Sequence, residues 1–242
     1  MYYSNLIITM KSLVIIPTYN EKDNIEKLIK EIFYLNFNLD LLIIDDNSPD
    51  GTGDIVEKLK VRNEKLKIIH REKKLGLGTA YIRGFKFALK YDYDSIITMD
   101  ADLSHDPKYI PEFVNRLKDY HLVVGSRYIS NGGIVGWPLH RKILSHLGNL
   151  YARTVTGLPI KDCTSGFVGY DTGALKNINL DEIHSEGYGF QIELKYRVFK
   201  KNYKISELPI VFIDRIAGKS KISKKIIFEA LLLVFKLRFF PK

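Results

Sequence analysis

The sequence predicts an α/β protein whose central sheet is mostly parallel and is flanked by helices on both faces. Short apolar runs alternate with amphipathic stretches along the first half of the 242-residue chain. Strands that are buried on both faces have such continuous apolar runs, and crossover helices join them. Polar clusters follow several of the runs, where each strand would end. Since ligands of such sheets bind beyond the carboxyl ends of the strands, these clusters are candidate site residues.

The predicted elements of the first half follow from local periodicity. Apolar, β-branched runs predict strands over residues 13–16, 41–44, 67–69, 95–99 and 122–124. Apolar residues at helical spacing predict helices over 24–33, 52–60, 79–90 and 107–117. The alternation of the two patterns is typical of βαβ units.

The second half is less regular. The same patterns predict helices over 141–156 and 190–200 and strands over 166–170 and 205–213. Asn131, Gly132 and Gly133 predict a flexible loop. Pro209 interrupts the last strand and has no N–H to donate, so we expect this strand at an edge of the sheet.

Residues 226–240 are apolar apart from Glu229, Lys236 and Arg238, and they follow a lysine cluster. The run is shorter than the roughly 20 apolar residues that a membrane-spanning helix needs. We therefore divide the chain into a main domain, residues 1–222, and a C-terminal amphipathic helix, residues 223–242. This helix lies on a membrane surface, docks on a partner or packs on the protein's own core.

The composition limits the kinds of partner and compartment that we expect for the protein. The net charge of +9 favours an anionic partner, which could be a nucleic acid, an anionic membrane or a phosphorylated molecule. No nucleic-acid-binding motif accompanies the charge, so we expect no nucleic acid. Cys163 is the single cysteine and cannot form an internal disulfide, which favours a reducing compartment. The first predicted strand is not followed by the glycine-rich motif of dinucleotide-binding proteins or by the lysine-containing loop of P-loop proteins. This counts against a dinucleotide-dependent oxidoreductase and against a P-loop NTPase.

Asp100 and Asp102, separated by Ala101, end the fourth predicted strand. A carboxylate buried there would cost several kcal/mol unless a positive charge is bound. Oxygen ligands suit a hard divalent cation, Mg²⁺ or Mn²⁺, which commonly completes its shell with substrate phosphates. The alternative for this pair alone is that two acidic residues close a turn or cap a helix.

The motifs together resemble family 2 glycosyltransferases with the GT-A fold, and within them the dolichol-phosphate mannose synthases. The resemblance runs from about residue 12 to residue 221. Its markers are Pro17-Thr18-Tyr19-Asn20-Glu21, the Asp45-Asp46-Asn47-Ser48-Pro49-Asp50-Gly51-Thr52 cluster, Met99 to His105, Gly125-Ser126-Arg127-Tyr128, Ser165-Gly166-Phe167, and Asp214-Arg215 leading to Gly218-Lys219-Ser220-Lys221.

The resemblance implies a role for particular residues. Donor nucleotide contacts are implied for Pro17, Tyr19, Glu21, Ile44, Asp46, Asp100, Ala101, Asp102, Arg127, Arg215 and Lys221. Asp100 and Asp102 match the metal ligands, and Asp102, Arg127, Arg215 and Lys221 match the catalytic set. The alternatives are a core position for Tyr19, an ion pair for Arg127 and a solvated basic face for the lysines. Two departures are Ser104, where relatives often have glutamine, and Lys219, where an acidic residue is common.

The implied reaction transfers mannose from GDP-mannose to dolichyl or another polyprenyl phosphate, with inversion. A phosphate monoester has a second pKa of about 6 and is already nucleophilic at neutral pH, so no general base is required. The lipid acceptor implies a peripheral enzyme at the cytoplasmic face of a membrane, with a small membrane-anchoring subunit as a further partner. The alternatives are a UDP-glucose-dependent polyprenyl-phosphate glucosyltransferase and a non-catalytic GT-A subunit.

Overall fold

A seven-stranded sheet forms the centre of the protein in the computed structural model, which describes residues 10–214 and 224–240. The strands are β1 (Ser12–Thr18), β2 (Leu39–Asp45), β3 (Leu66–His70), β4 (Ser95–Thr98), β5 (Leu122–Ser126), β6 (Gly133–Val135), β7 (Val168–Asp171), β8 (Ile205–Pro209) and β9 (Val211–Ile213). The helices are α1 (Lys22–Tyr34), α2 (Thr52–Lys60), α3 (Leu77–Lys90), α4 (Ile110–Arg116), α5 (Leu139–Thr156), α6 (Thr172–Lys176), α7 (Gly187–Lys200) and α8 (Lys224–Phe239). Short 3₁₀ turns cover Pro107–Tyr109 and Leu180–Glu182.

The strand order in the main sheet is β3-β2-β1-β4-β7-β5-β8. Every neighbouring pair is parallel except those of β7, which runs antiparallel to both β4 and β5. The predicted α/β architecture is thus confirmed. β8 lies at the edge of the sheet, as Pro209 at its end predicts.

The apolar runs are continuous because helices cover both faces of the sheet. In β1, Leu13 and Ile15 pack into one hydrophobic cluster, whereas Val14 and Ile16 pack into the other. All four side chains are fully buried. Successive residues of a strand point to opposite faces, so a strand in the middle of such a sheet is apolar on both faces along most of its length.

The structure differs from the sequence prediction at residues 131–133, where a flexible loop was expected. Gly133 begins β6, which pairs in parallel with β9 to form a separate two-stranded sheet. The single strand predicted over 205–213 is divided into β8 and β9, and Ile210 between them donates its backbone N–H to the Ser126 carbonyl. The partner strand lies about 80 residues away along the chain, so local periodicity does not report this pairing.

The C-terminal helix α8 packs against α5 and α7. Val234 is buried among side chains of the main body, and the Tyr151 hydroxyl donates to the Leu231 carbonyl at 3.1 Å. Across the described ranges, none of the helices combines the length and the hydropathy needed to cross a bilayer. The predicted domain boundary at residue 222 lies outside the described residues.

Candidate active site

A cleft of about 330 Å³ opens at the carboxyl ends of β1, β2 and β4. Its lining includes seven of the residues that the sequence analysis selected: Pro17, Tyr19, Glu21, Asp46, Asp100, Ala101 and Asp102. They come from three separate loops, and the parallel pairing of β2, β1 and β4 brings these loops to one edge. The predicted convergence of the strand-end clusters is therefore confirmed.

Asp100 and Asp102 occupy the end of the cleft next to β4. The side chain of Asp100 is about one-third exposed, at 33%, whereas Asp102 is buried. Asp102 Oδ1 accepts hydrogen bonds from the backbone N–H and the hydroxyl of Ser104, at 3.1 and 2.5 Å. Ser104, the departure noted in the sequence, thus holds one oxygen of the second carboxylate in place.

His105 holds the backbone of the first carboxylate. The Asp100 N–H donates to His105 Nδ1 at 3.1 Å, and the imidazole stacks on Phe167 with centroids 4.9 Å apart. Since Nδ1 accepts this bond, it carries no proton, and its 3.9 Å approach to Asp100 Oδ2 is not an ion pair. Burial lowers the pKa of His105, although Asp100 and Asp102 act in the opposite direction. The neutral ring is a fixed support for the loop.

The donor set fits a hard divalent cation. Two carboxylates line the same end of one cleft, and their oxygen atoms are the ligands that Mg²⁺ and Mn²⁺ prefer. Gly166 faces this end, and a Cβ built on it would lie 3.6 Å from both oxygens of Asp100. The absence of a side chain at Gly166 leaves room beside the carboxylate.

The other end of the cleft carries an aromatic ring and a buried carboxylate. The Lys74 ammonium lies 4.2 Å from the centroid of the Tyr19 ring. Asp46 accepts from the Leu75 N–H at 3.1 Å through Oδ2, and Arg71 Nε lies 2.9 Å from Oδ1. That Arg71 contact is an ion pair without hydrogen-bond alignment, so Oδ1 accepts no hydrogen bond from the described residues. Burial raises the pKa of Asp46, while Arg71 opposes the shift. A ligand hydroxyl could donate to Oδ1.

Two of the predicted residues lie away from the cleft, and two more fall outside the described residues. The side chain of Ile44 is fully buried in the core beside Gly84, so it does not reach the cleft. Arg127 does not line the cleft either and faces a neighbouring groove. Arg215 and Lys221, together with Lys219, lie outside the described residues. The functional roles assigned to these residues stay predictions.

Arg127 forms a buried, bidentate ion pair with Asp162. Its Nε and Nη2 donate to Oδ2 and Oδ1, each at 2.7 Å, and its backbone N–H also donates to Oδ2. Nη2 reaches the Thr164 hydroxyl as well, at 3.0 Å. Although burial opposes the charge, Asp162 raises the pKa of Arg127, which stays a cation at any pH of interest. The expected alternative, an ion pair, is confirmed, but the carboxylate is in a loop and not on a helix.

A narrow groove of about 120 Å³ adjoins the cleft between α5, α7 and α8. Thr164 and Tyr188 line both cavities, so the two meet there. One part of the groove is apolar, with Leu144, Ala152, Ile192 and Val234 among its lining residues. The other part holds Arg127, Trp137 and Arg141. Trp137 Nε1 and Arg141 Nε are buried donors without a hydrogen-bond partner in the described part of the chain.

The carboxylates of Glu186 and Glu193, near the cleft, form hydrogen bonds within the protein. Glu186 Oε2 accepts from the Gly78 N–H at 3.0 Å, at the start of α3. Glu193 accepts from the Ser185 hydroxyl at 2.7 Å and from Arg197 Nε at 2.9 Å. The same carboxylate of Glu186 lies against Gly76, where an added Cβ would come within 2.6 Å of Glu186 Oε2, so the Gly76-Leu77-Gly78 turn at the start of α3 needs glycine for this close approach. Neither carboxylate is placed as a free general base.

Sequence reasoning missed several lining residues. Lys74, Thr164, Tyr188 and Gln191 complete the cleft but were not selected. The Ser165-Gly166-Phe167 motif next to Thr164 was a usable signal, as was the Gly187–Gln191 stretch. No sequence signal marked Lys74, because a lysine in a basic loop resembles any solvated lysine.

The fold and the site define a class of protein. A parallel sheet with a nucleotide-sized cleft at its carboxyl edge and two metal-suited carboxylates is the arrangement of a nucleotide-sugar-dependent transferase with the GT-A fold. The family model described as "Glycosyl transferase family 2" matches residues 13–178. The chain belongs to this family, and it is a glycosyltransferase.

Two relatives support this assignment, and two solved structures share the fold. The chain is 40% identical over 221 residues to an undecaprenyl-phosphate mannosyltransferase of Micrococcus luteus, covering 91% of each chain. It is 37% identical over 225 residues to a polyprenol monophosphomannose synthase of Mycolicibacterium smegmatis, covering 92% of this chain and 85% of that one.

Both solved structures are of glucosyl-3-phosphoglycerate synthase from Mycobacterium tuberculosis. The complex with phosphoglyceric acid has a TM-score of 0.69 at 18% identity and covers 96% of this chain and 81% of that chain. The complex with Mn²⁺, UDP and glucosyl-3-phosphoglycerate has a TM-score of 0.68 at 19% identity, with the same coverage. At these identities the likeness concerns the fold alone, and it confirms the GT-A architecture.

Proposed function

We propose that this enzyme transfers mannose from GDP-mannose to dolichyl or another polyprenyl phosphate with inversion at the anomeric carbon. The observation that carries the proposal is the junction of the two cavities at Thr164 and Tyr188. A nucleotide-sized cleft with metal-suited carboxylates meets a groove that holds two ion-paired arginines in one part and is apolar in another. Both named relatives act on polyprenyl substrates, which fits such a groove.

The cleft would take the donor. The Tyr19 ring offers a face for the base, and Asp46 Oδ1 offers an acceptor for a ribose hydroxyl. Asp100 and Asp102 would hold Mg²⁺ or Mn²⁺, and the ion would neutralise charge on the departing diphosphate. Arg215 and Lys221 remain proposed phosphate contacts on the strength of the sequence resemblance.

The groove would take the acceptor. Beside the groove lie two buried donors, Trp137 Nε1 and Arg141 Nε, that have no hydrogen-bond partner among the described residues, and a phosphate oxygen that enters after a small side-chain shift would supply one. The guanidinium groups of Arg127 and Arg141 keep their own carboxylate partners, Asp162 and Asp214. The apolar part between α5 and α8 suits the first isoprene units of a lipid. No base need remove a proton, because the acceptor phosphate is mostly dianionic at neutral pH. The structural roles of Glu186 and Glu193 agree with this chemistry.

A lipid acceptor requires the enzyme to meet a membrane, and α5 and α8 supply apolar surface for it. We name the exposed apolar residues of these two packed helices the apolar face: Leu139, Ile143, Leu144, Leu147, Leu150, Leu231, Leu232, Phe235, Phe239 and Phe240. Together with the net charge of +9, this face supports peripheral binding to the anionic, cytoplasmic side of a membrane. Residues 223–242 would act as a membrane-surface helix beside the domain of residues 1–222, with or without a small anchoring subunit.

The test is a transfer assay with two radiolabelled donors. Purified enzyme is incubated with a polyprenyl phosphate in detergent micelles and either GDP-mannose or UDP-glucose, with Mg²⁺, Mn²⁺ or a chelator. We expect lipid-soluble label from GDP-mannose only, a β-linked product from the α-linked donor, and no product with chelator. Transfer from UDP-glucose alone would show that the transferred sugar is glucose and not mannose. Donor binding without any turnover would instead support a non-catalytic subunit.

A further inference from the structure

Lys195 lies in the interior of the protein, in the middle of α7. Its side chain is fully buried, which is rare for lysine unless its ammonium is well satisfied. Nζ donates to three backbone carbonyls, those of Cys163 at 3.1 Å, Ser165 at 2.7 Å and Gln191 at 3.2 Å. A fourth acceptor, Gln191 Oε1, lies 3.5 Å away, and two of the four acceptors belong to a distant loop.

That loop, residues 162–166, connects the parts of the candidate active site. At one end Asp162 holds Arg127, and Thr164 lies where the cleft and the groove meet. At the other end Gly166 faces the Asp100 carboxylate, and its carbonyl accepts from the Thr98 hydroxyl at 2.8 Å. The loop has no regular secondary structure, so side chains must satisfy its carbonyls.

We propose that Lys195 is a positioning residue for transfer, because its ammonium holds the Cys163 and Ser165 carbonyls and thereby fixes Thr164 and Gly166 between donor and acceptor. A neutral amine has only two N–H donors and loses the charge that strengthens these bonds, so its hold on the two loop carbonyls weakens. The loop then loosens at the junction of the two cavities, and the two reacting groups lose alignment. The inference depends on the proposed function only for its activity readout.

Burial and the neighbouring charged groups set the pH at which the Lys195 ammonium loses a proton, and they place it near neutrality. Asp162 and Cys163 face it from the loop, and Arg127 faces it from the end of β5. Burial lowers the pKa of Lys195 to about 7, while Cys163 and Asp162 oppose the shift. Burial raises the pKa of the Cys163 thiol to about 12, and Arg127 holds the pKa of Asp162 below its usual range against the effect of burial. Of these four groups, Lys195 alone changes charge between about pH 6 and pH 9.

The experiment compares Lys195→Met with Lys200→Met, which removes an exposed lysine from the end of the same helix. kcat is measured from about pH 6 to about pH 9 at saturating substrates. The wild-type kcat is expected to fall on the alkaline side. Lys195→Met should lack this fall and have a kcat at least about tenfold lower at pH 6.5, with little change in the donor KM. Lys200→Met should match the wild type. A Lys195→Met profile equal to that of the wild type would overturn the proposal.

Hydrogen exchange separates this inference from the proposed function. Amides in the 162–166 loop should exchange faster in Lys195→Met than in Lys200→Met, while β4 stays equally protected. Unchanged protection of the loop overturns the proposal even if no transfer has been detected, whereas absent turnover with a loosened loop overturns only the proposed function. If Lys195→Met does not fold, the wild type is compared at pH 6.5 and pH 8.5 after correction for intrinsic rates. Equal corrected protection at the two values would then overturn the proposal.

Discussion

Asp162 and Arg127 form a bidentate ion pair, in which the Nε–Oδ2 and Nη2–Oδ1 distances are both 2.7 Å. The side chains are 0% and 7% exposed, so water screens this pair little. A third bond, from the Arg127 backbone N–H, ties the end of β5 to the loop before β7. The pair therefore joins two segments 35 residues apart beside the candidate active site.

Asp162→Asn should destabilise the protein by about 3 kcal/mol, because it leaves a buried guanidinium without its counter-charge. Chemical denaturation measures the change. The matched control is Glu112→Gln, which breaks an exposed pair with Arg116 one helical turn away and should cost less than about 0.5 kcal/mol. Equal losses in the two variants would show that the buried pair contributes no more than a surface pair.

The same pair predicts a pH dependence of stability. Although burial opposes it, Arg127 lowers the pKa of Asp162 below the value of 3.8 that the unfolded chain approximates. The unfolded state therefore binds more protons in acid, and stability is lost as the pH falls through about 4 and below. The difference in unfolding free energy between wild type and Asp162→Asn should shrink between pH 6 and pH 3. A constant difference would contradict the assignment.

Asp102→Asn should lower turnover by at least about 100-fold while leaving the fold intact, because an amide is a poor ligand for a hard cation beside a diphosphate. Turnover, metal affinity and circular dichroism are measured together. The control is Asp106→Asn, four residues along, whose side chain caps the 3₁₀ turn that begins at Pro107. Near-normal turnover of Asp102→Asn would refute the metal role.

Arg141→Met should raise the KM for the lipid phosphate by about tenfold and leave the donor KM nearly unchanged, because the side chain of Arg141 lines the groove and not the cleft. The substitution also removes the 3.1 Å ion pair of Arg141 Nη1 with Asp214 Oδ1, so unfolding is measured beside KM. Arg153→Met, which removes an exposed arginine from the last turn of the same helix, is the control. An increase in the donor KM alone would place the arginine on the other substrate.

The double variant Ile143→Glu, Leu147→Glu should weaken binding to vesicles of phosphatidylcholine and phosphatidylglycerol by tenfold or more, because it adds two negative charges to the apolar face. Both side chains are about half exposed, so the fold should tolerate the change. Val61→Glu alters an exposed apolar residue after α2 and serves as the control. Vesicle binding equal to that of the wild type would exclude this face as the membrane contact.

The confirmed predictions concern features with a local cause. The runs that form β1, β2 and β4 are mostly apolar and almost entirely buried, and helix α2 was predicted with its observed bounds. The position of Asp100 and Asp102 after a buried strand was readable for the same reason. Because parallel strands end at one edge, convergence of their loops needed no knowledge of side-chain contacts.

By itself, then, the sequence determined the alternation of strands and helices, the family and the carboxylate end of the cleft, because these depend on residues close together along the chain. The tertiary structure alone decided the antiparallel β7, the pairing of β6 with β9, and the burial of Ile44 away from the cleft. It also decided contacts that hold the 162–166 loop, among them those from Arg127 and Lys195. Each joins residues about 30 or more positions apart, and no hydrophobic period or motif spacing encodes such a meeting.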